Sequence, residues 1–201
     1  MKTLMDFLNS NFGVLVSGAV ISGLFVQYIT SSWQQRNWMY QQRYTAEKTA
    51  FDKEIEQKYK LLEDINMAVA AVLAHSRFAI AAYVKRVGKD QLEHVISSYN
   101  DAALKWDSDC GLHSIRLRTL FHGGATLKSW NSIKDRRDEL DRAIYELGDA
   151  AEKQTDALPA LVEKNSELLE KISDLTVELS RHMISEIQAM KNRARAEQNT
   201  H

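Results

Sequence analysis

The chain has few of the residues that interrupt helices. Its 201 residues include 1 proline and 8 glycines, whereas a sheet with many tight turns needs both residue types at its bends. No glycine or proline occurs between Gly23 and Gly88, and none follows Pro159. This scarcity predicts an all-α fold.

The chain also lacks a disulfide partner and an excess of either charge. Cys110 is the single cysteine, so no internal disulfide can form, which agrees with a reducing compartment. Lys and Arg number 26, Asp and Glu number 27, and the net charge is −1. A nearly neutral chain has no global field that recruits nucleic acid, so we expect no nucleic-acid partner.

Common catalytic motifs are missing from the sequence as well. It contains no nucleophile elbow, phosphate-binding loop, dinucleotide fingerprint or metalloprotease motif. The densest group of potential metal ligands, Asp107–His113, lacks the second cysteine or paired histidine that a zinc site needs. Glu178 and His182 lie four residues apart but lack the Glu-x-x-His repeats of a di-iron bundle. We therefore expect no enzyme activity, cofactor, metal or small-molecule substrate.

One long uncharged run stands near the N-terminus. Residues Phe12–Ile29 carry no charged side chain, and 18 helical residues span about 27 Å, close to the hydrocarbon thickness of a bilayer. Aromatic and basic residues of the kind found at membrane–water interfaces follow it: Trp33, Arg36, Trp38 and Arg43. The sequence therefore predicts a short N-terminal segment, 1–11, and a transmembrane anchor, 12–32.

Three other interpretations of this run stay open: a cleaved signal peptide, a buried core helix and a re-entrant segment. For an anchor, the flanking basic residues predict the orientation. Lys2 precedes the run, whereas Arg36, Arg43 and Lys48 follow it. The positive-inside rule then places the N-terminus outside and the C-terminal body in the cytoplasm, at a bacterial-type inner membrane.

Small residues recur at four-residue spacing within the run, as they do where membrane helices contact each other. The pairs are Gly13/Ser17, Gly18/Ser22 and Ala19/Gly23. At about 100° per residue the three pairs point in different directions, so they do not form one dimerisation face.

The rest of the chain, 33–201, has apolar residues at helical spacing. It is predicted to continue the anchor helix into an elongated antiparallel helical bundle or coiled coil, with helices at about 33–87, 90–122, 125–148 and 159–198. Asp90–Glu93 has the pattern of a capping box at the start of the second helix. The polar stretch Asp107–Gly111 is predicted to interrupt that helix, and Gly148 to end the third. Pro159 suits the first turn of the fourth.

A second apolar stretch, Met67–Val84, is the only other candidate for a membrane span. His75 and Arg77 lie at its centre, where an arginine costs roughly 2.5–3.5 kcal/mol to insert. We interpret this stretch as a helix buried inside the bundle, although membrane association stays open.

A dense run of mixed charges, Lys134–Glu139, lies on the predicted third helix. Opposite charges there and just beyond it lie four residues apart, as in the pair Arg137/Asp141, which is typical of exposed helical ion pairs. The run therefore predicts a solvated helix face rather than a nucleic-acid patch.

The fourth helix carries a near-heptad apolar stripe. Its members are Leu161, Leu168, Ile172, Leu175, Leu179, Met183 and Ile187. Asn165 interrupts the stripe at a position where a polar residue can fix register or oligomer state. The pattern fits packing within one chain and also a coiled coil between chains, and both interpretations stay open.

These features together favour a non-enzymatic, single-pass membrane-anchored interaction protein that acts as a scaffold, a sensor or a regulatory or phage-defence component. Its expected partners are membrane lipid and either further copies of the chain, as a homo-oligomer, or another membrane or cytoplasmic protein. Two alternatives are an oligomerising membrane effector of the pore-forming or phage-exclusion type, and an envelope protein with a periplasmic coiled-coil body.

Overall fold

The computed structural model describes the backbone of residues 11–198 and the side chains of residues 26–197. Within that part of the chain every regular element is an α-helix, and no strand occurs. The four helices are α1 (Asn11–Lys85), α2 (Lys89–Leu120), α3 (Gly124–Glu152) and α4 (Leu158–Gln198). The prediction of an all-α fold with one long N-terminal helix is confirmed.

The chain divides into two compact units, Met1–Lys53 and Glu54–His201. The first unit is described from Asn11 onward, and there it consists of the first part of α1. Almost every side chain from Val26 to Lys53 is exposed. This part of α1 therefore buries little of its own surface.

The predicted anchor lies at the edge of the described side chains. The backbones of Phe12, Gly13, Gly18, Ser22 and Gly23 are helical, but their side chains lie outside the described part of the chain, as do residues 1–10 altogether. The predicted interface residues that follow are described and exposed: Trp33, Arg36, Trp38 and Arg43.

One helical stretch among the described residues, Val26–Lys85, is long and apolar enough to cross a membrane, with a mean hydropathy of 1.6 over an 18-residue window. Within this stretch the 18-residue window corresponds to Met67–Val84, because the residues between Val26 and Met67 include many charged side chains. Of the window, 39% is buried inside the protein, and Val69 and Val72 belong to the core. A core helix also meets these criteria, so length and composition alone do not distinguish it from a membrane span.

The second unit has a bundle-like arrangement in which all four helices contribute to an apolar core. Side chains with at most 1% exposure come from each of them: Leu61, Leu117, Ile144 and Met183. Burying one such side chain contributes about 1.5–3 kcal/mol relative to leaving it exposed. α3 packs against both α2 and α4, and Ser180 of α4 donates a hydrogen bond of 3.1 Å to Asn66 of α1.

The start of α2 differs from the prediction. The N-cap is Gly88, and no side chain caps the helix. The predicted capping box at Asp90–Glu93 is therefore not formed. Glu93 instead lies 3.8 Å from Lys89, with both side chains exposed. Because the helix begins one residue before Asp90, that carboxylate already stands inside the first turn, where it faces the positive end of the helix dipole.

The middle of α2 differs as well, because the helix runs through Asp107–Gly111 without interruption. Trp106 and His113 flank this stretch, and both are buried. Their burial holds both sides of the stretch against the core. One glycine in a helix interior costs only about 1 kcal/mol relative to alanine, so packing outweighs the local signal for a break.

Gly148 does not end α3, contrary to the prediction, since the helix continues to Glu152. A Cβ atom at Gly148 would lie 2.8 Å from the hydroxyl oxygen of Tyr83 on α1. The glycine is therefore required by a close contact between helices and not by a helix end. Pro159 was predicted to lie in the first turn of the fourth helix. This is correct, because α4 begins at Leu158, one residue earlier.

The apolar stripe of α4 lies largely inside the single chain. Its buried members are Leu168, Ile172, Leu179, Met183 and Ile187, and its half-buried members are Leu161 and Leu175. Asn165 is fully buried, and its amide donates to the carbonyl oxygens of Ala143 on α3 at 3.0 Å and of Leu161 at 2.8 Å. The asparagine thus fixes the position of α4 along α3.

Candidate functional site

A groove of about 620 Å³ lies between α1 and α2. We call it the α1–α2 groove. The residues that carry its chemistry are Asp64 and His75 on α1 and Trp106, Asp109, His113 and Arg116 on α2. Asp109, His113 and Arg116 are spaced by four and three residues, which places them on one side of a helix. The groove thus brings these two imidazoles and three charged groups beside an aromatic ring.

Two polar contacts join the helices along this groove. The Nη1 atom of Arg116 lies 2.9 Å from a carboxylate oxygen of Asp64. Further along, the Nδ1 atom of His75 lies 3.3 Å from the hydroxyl oxygen of Ser98. The ion pair is partly exposed, and such pairs contribute at most about 1 kcal/mol. Both contacts position α2 against α1.

His113 stands at the buried side of the groove. Its ring meets the ring of Trp130 edge to face, with centroids 6.1 Å apart, and its Nδ1 atom has no hydrogen-bond partner within the described chain. Burial lowers the pKa of His113 below its ordinary value of 6.5, and the nearby carboxylates of Asp109 and Asp64 oppose that shift only in part. The folded protein therefore favours the neutral imidazole.

This shift of the His113 pKa predicts a dependence of stability on pH. The unfolded chain takes up the proton at higher pH than the folded chain, so the contribution is present above pH 6.5 and is lost as the pH falls through the folded pKa. We expect His113→Gln to reduce the loss in the free energy of unfolding that accompanies a fall in pH below about 6.5. Urea denaturation at several pH values measures this. The control His94→Gln, at an exposed histidine, should retain the slope of the natural protein, and an unchanged slope in His113→Gln would refute the assignment.

The other members of the predicted ligand group do not converge. The carboxylate of Asp109 lies 2.7 Å from the Nζ atom of Lys105, and this hydrogen bond lowers its pKa. Cys110 is half-buried, and burial raises the pKa of its thiol. Asp107 is exposed. Over the described residues, no group of three or more His, Cys, Asp or Glu side chains could hold a metal ion.

Glu178 and His182 meet on a single hydroxyl group. The buried Oγ atom of Ser129 lies 3.4 Å from a carboxylate oxygen of Glu178 and 3.2 Å from the Nδ1 atom of His182. In a Ser-His-acid triad the imidazole lies between the hydroxyl and the carboxylate. Here the hydroxyl lies between the other two groups, so the arrangement does not activate a nucleophile. It joins α3 to α4.

Sequence reasoning missed a buried polar cluster between α2 and α3. The guanidinium of Arg137 is only 4% exposed and lies 3.5 Å from the carboxylate of Asp141, to which the hydroxyl of Tyr99 also donates. Burial and this hydrogen bond raise the pKa of Tyr99. The prediction that the charge run of α3 forms a solvated face is therefore wrong at Arg137. The four-residue spacing showed the pair, but not that it faces inward.

A buried lysine was also not predicted. Lys58 on α1 is 2% exposed, and its ammonium group donates to the carbonyl oxygen of Leu120, the last residue of α2. The same group lies 4.8 Å from the ring centroid of Phe121 and 3.4 Å from a carboxylate oxygen of Glu54. A cation at the C-terminus of a helix opposes the negative end of its dipole. Lys58 thus fixes the end of α2 on α1.

The N-terminus of α3 is held by a carboxylate from α4. Glu186 accepts hydrogen bonds from the backbone N–H groups of His122 and Gly123, both 3.2 Å long, and from the hydroxyl of Thr126, 2.6 Å long. The local N-cap residue, Gly123, has no side chain to do this. A carboxylate here also interacts favourably with the helix dipole. A Cβ atom at Gly123 would clash with the same carboxylate of Glu186.

We expect Glu186→Ala to lower the free energy of unfolding by about 1–2 kcal/mol, the usual cost of a lost N-cap. Gly123→Ala should also be destabilising, because its Cβ atom displaces the same carboxylate. Urea denaturation of the full chain, followed by circular dichroism, measures both variants. The control Glu170→Ala removes an exposed carboxylate of the same helix and should change stability little. Equal losses at the two glutamates would contradict the capping role.

Several polar groups of the second unit therefore join one helix to another, as Lys58, Asn165 and Glu186 do. Among the residues that the structure describes, none of the His, Cys, Asp and Glu side chains form a group that could hold a metal ion. No protein-family model, no curated protein and no solved structure matches the chain.

Proposed function

We propose that this chain is a non-enzymatic, single-pass protein of the inner membrane, whose helical body binds partner proteins as a scaffold, a sensor or a regulatory component. The observation that carries the proposal concerns α1. One uninterrupted helix contains the uncharged run Phe12–Ile29 and also core residues such as Leu61 and Ile65. The same element thus supplies an anchoring sequence and the first helix of an elongated antiparallel bundle.

The competing span, Met67–Val84, is less suited to a bilayer. Its Val72 and Ala79 side chains are buried against other helices of the body, and insertion would remove them from that core. Arg77 would also have to enter the hydrocarbon region, at a cost of roughly 2.5–3.5 kcal/mol on insertion scales. The run Phe12–Ile29 carries neither penalty, since it has no charged residue.

The residues that follow the run support its orientation. Trp33 and Trp38 are 64% and 61% exposed, as the aromatic residues of a membrane–water interface are before lipid covers them. Arg36 and Arg43 are exposed as well. Basic residues on this side favour a cytoplasmic position for the body.

The arrangement of polar groups supports a binding role over a catalytic one. Lys58, Asn165 and Glu186 each hold one helix in place on another. Exposed apolar side chains remain on the surface of the body, among them Phe78 and Leu104, at 64% and 68% exposure. Large exposed apolar side chains, when they lie together, mark surfaces that bind other proteins.

Chemical crosslinking in intact cells, followed by purification of the tagged full-length chain from membranes, tests this proposal. We expect discrete crosslinked species, either between copies of the chain or with another protein. Recovery of the chain only as a soluble, uncrosslinked monomer would contradict the proposal. Loss of membrane potential on induction would also contradict it and would favour a pore-forming effector.

A further inference from the structure

One face of α2 has no partner among the residues that the structure describes. Its residues follow each other at alternating spacings of three and four, which places them in one line on a helix. They are Asp101, Leu104, Ser108, Gly111, Ile115 and Arg118, and all six are exposed. We call them the α2 stripe. Leu104 and Ile115 are 68% and 64% exposed, so a large apolar side chain stands on each side of two small residues.

No described side chain occupies the space beside the glycine in the middle of the α2 stripe. Gly111 lies in the interior of α2, where glycine costs about 1 kcal/mol relative to alanine, yet a Cβ atom there would meet nothing within 4 Å. Gly148 is different, because Tyr83 occupies the space of its missing side chain. A glycine with open space beside it fits the close approach of another backbone.

We propose that a second copy of the chain docks on the α2 stripe through its own α2, with the two helices antiparallel. The stripe complements itself about a two-fold axis that passes between Asp109 and Cys110. Leu104 then faces the partner's Ile115, and Ser108 faces the partner's Gly111 at the point of closest approach. When two helices with this spacing pack antiparallel, each residue of the stripe faces a different residue of the partner and never its own equivalent. The pairs Leu104–Ile115 and Ser108–Gly111 follow this rule.

The charges at the two ends of the stripe determine the direction. Asp101 and Arg118 are exposed, and neither side chain has a hydrogen bond or ion pair with any other residue that the structure describes. The antiparallel arrangement places each Asp101 beside the partner's Arg118, twice per dimer. A parallel arrangement would instead place like charges together at both ends, which is destabilising. Charge complementarity therefore favours a second copy in the antiparallel direction.

The interface is a weak one. One pair of helices with a single apolar layer on each side of its centre buries less than the roughly 1,200 Å² of a stable complex. Leu112, 54% exposed beside the stripe, adds apolar area at its edge. The pairing rests on α2 alone and does not depend on the membrane anchor proposed above, so it should form in detergent micelles as well as in membranes.

Disulfide crosslinking between unlike positions tests the pairing. Full-length chains carrying Cys110→Ser, with Leu104→Cys under one tag and Ile115→Cys under another, are mixed and oxidised. We expect a disulfide between the two tags, formed several-fold faster than between chains of the same tag. Val177→Cys, at an exposed apolar side chain on α4, serves as the matched control. Preferential crosslinking of Leu104→Cys with itself would indicate parallel helices, and no excess over the control would indicate no dimer; either result overturns the proposal.

Charge exchange in the same cysteine-bearing chains provides a second test of the pairing, with the disulfide between the two tags as its readout. Asp101→Arg and Arg118→Asp, each alone, should reduce crosslinking several-fold, and both together should restore it. Asp135→Arg, at an exposed carboxylate on α3, should leave it unchanged. Failure of the double variant to recover, although it folds as shown by circular dichroism, would refute the proposed pairing. The membrane fraction of the same samples reports separately on the anchor.

Discussion

Two arginines in the uncharged run, Val16→Arg with Val20→Arg, are expected to release the chain from the membrane. Each arginine near the centre of a span costs roughly 2.5–3.5 kcal/mol on insertion scales. The pair therefore costs about 5–7 kcal/mol, which corresponds to a change of roughly a thousandfold or more in the insertion equilibrium. Flotation of cell membranes on a density gradient measures the effect, because it separates membrane-bound chains from soluble and aggregated ones.

Two matched pairs of arginine substitutions outside the run serve as controls for the added charge. Thr45→Arg with Thr49→Arg adds the same charge at exposed positions outside the run and should leave the chain in the membrane fraction. Ala70→Arg with Ala74→Arg adds it on the exposed side of the competing span and should also leave attachment unchanged. Release by this second pair, with retention of the Val16/Val20 variant, would assign the span to Met67–Val84 and contradict our proposal.

Trp130→Ala is expected to cause the largest loss of stability of any single substitution in the body. Trp130 is 1% exposed, its ring centroid lies 5.4 Å from that of Trp106, and its indole N–H donates a 2.8 Å hydrogen bond to Ser114. Truncation of a buried tryptophan costs about 3–5 kcal/mol, and here it also leaves the Ser114 hydroxyl without that donor. Urea denaturation of the full chain, followed by circular dichroism, should show a much lower midpoint.

The same substitution at Trp38 is the control. Trp38 is 61% exposed and belongs to the first unit, so Trp38→Ala should change the free energy of unfolding by no more than about 0.5 kcal/mol. Trp130→Phe, which retains an aromatic ring but loses the hydrogen bond, should lie between the two. Equal midpoints for Trp130→Ala and Trp38→Ala would show that the core is not centred on Trp130.

The helices themselves could be predicted because their signals are local. Long intervals without glycine or proline indicate helix whatever surrounds them, and α1 and α4 follow those intervals. The end predicted at Gly148 was wrong because the cause of that glycine lies elsewhere in the chain. Tyr83 approaches it from α1, and nothing in the neighbouring sequence reports such a contact.

The polar contacts show the same limit. The ion pair between Lys105 and Asp109 spans four residues of one helix and belongs to a spacing that sequence reveals. The hydrogen bond from Thr126 to Glu186 spans 60 residues, so only the packing of α3 on α4 shows it. Arg137 belongs to both groups. Its partner Asp141, four residues away, is evident from the sequence, but the burial of the Arg137 side chain is not.

The outward direction of the α2 stripe also required the structure. Leu104 and Ile115 are ordinary apolar residues in the sequence, and their presence alone does not show that they lie outside the apolar face that turns toward the core. Buried Trp106 and Leu117 establish the inner face. The apolar residues on the other side are then identified as exposed, and a Cβ atom at Gly111 between them would meet no described residue within 4 Å.

The position of the body relative to the membrane is the central claim, and paired reporters after His201 test it most directly. Alkaline phosphatase needs disulfides that form in the periplasm and not in the cytoplasm, whereas a fluorescent protein that matures only in the cytoplasm reports the opposite side. We predict membrane-bound fluorescence with the second fusion and no phosphatase activity with the first. Phosphatase activity without fluorescence would place the body in the periplasm and contradict the account.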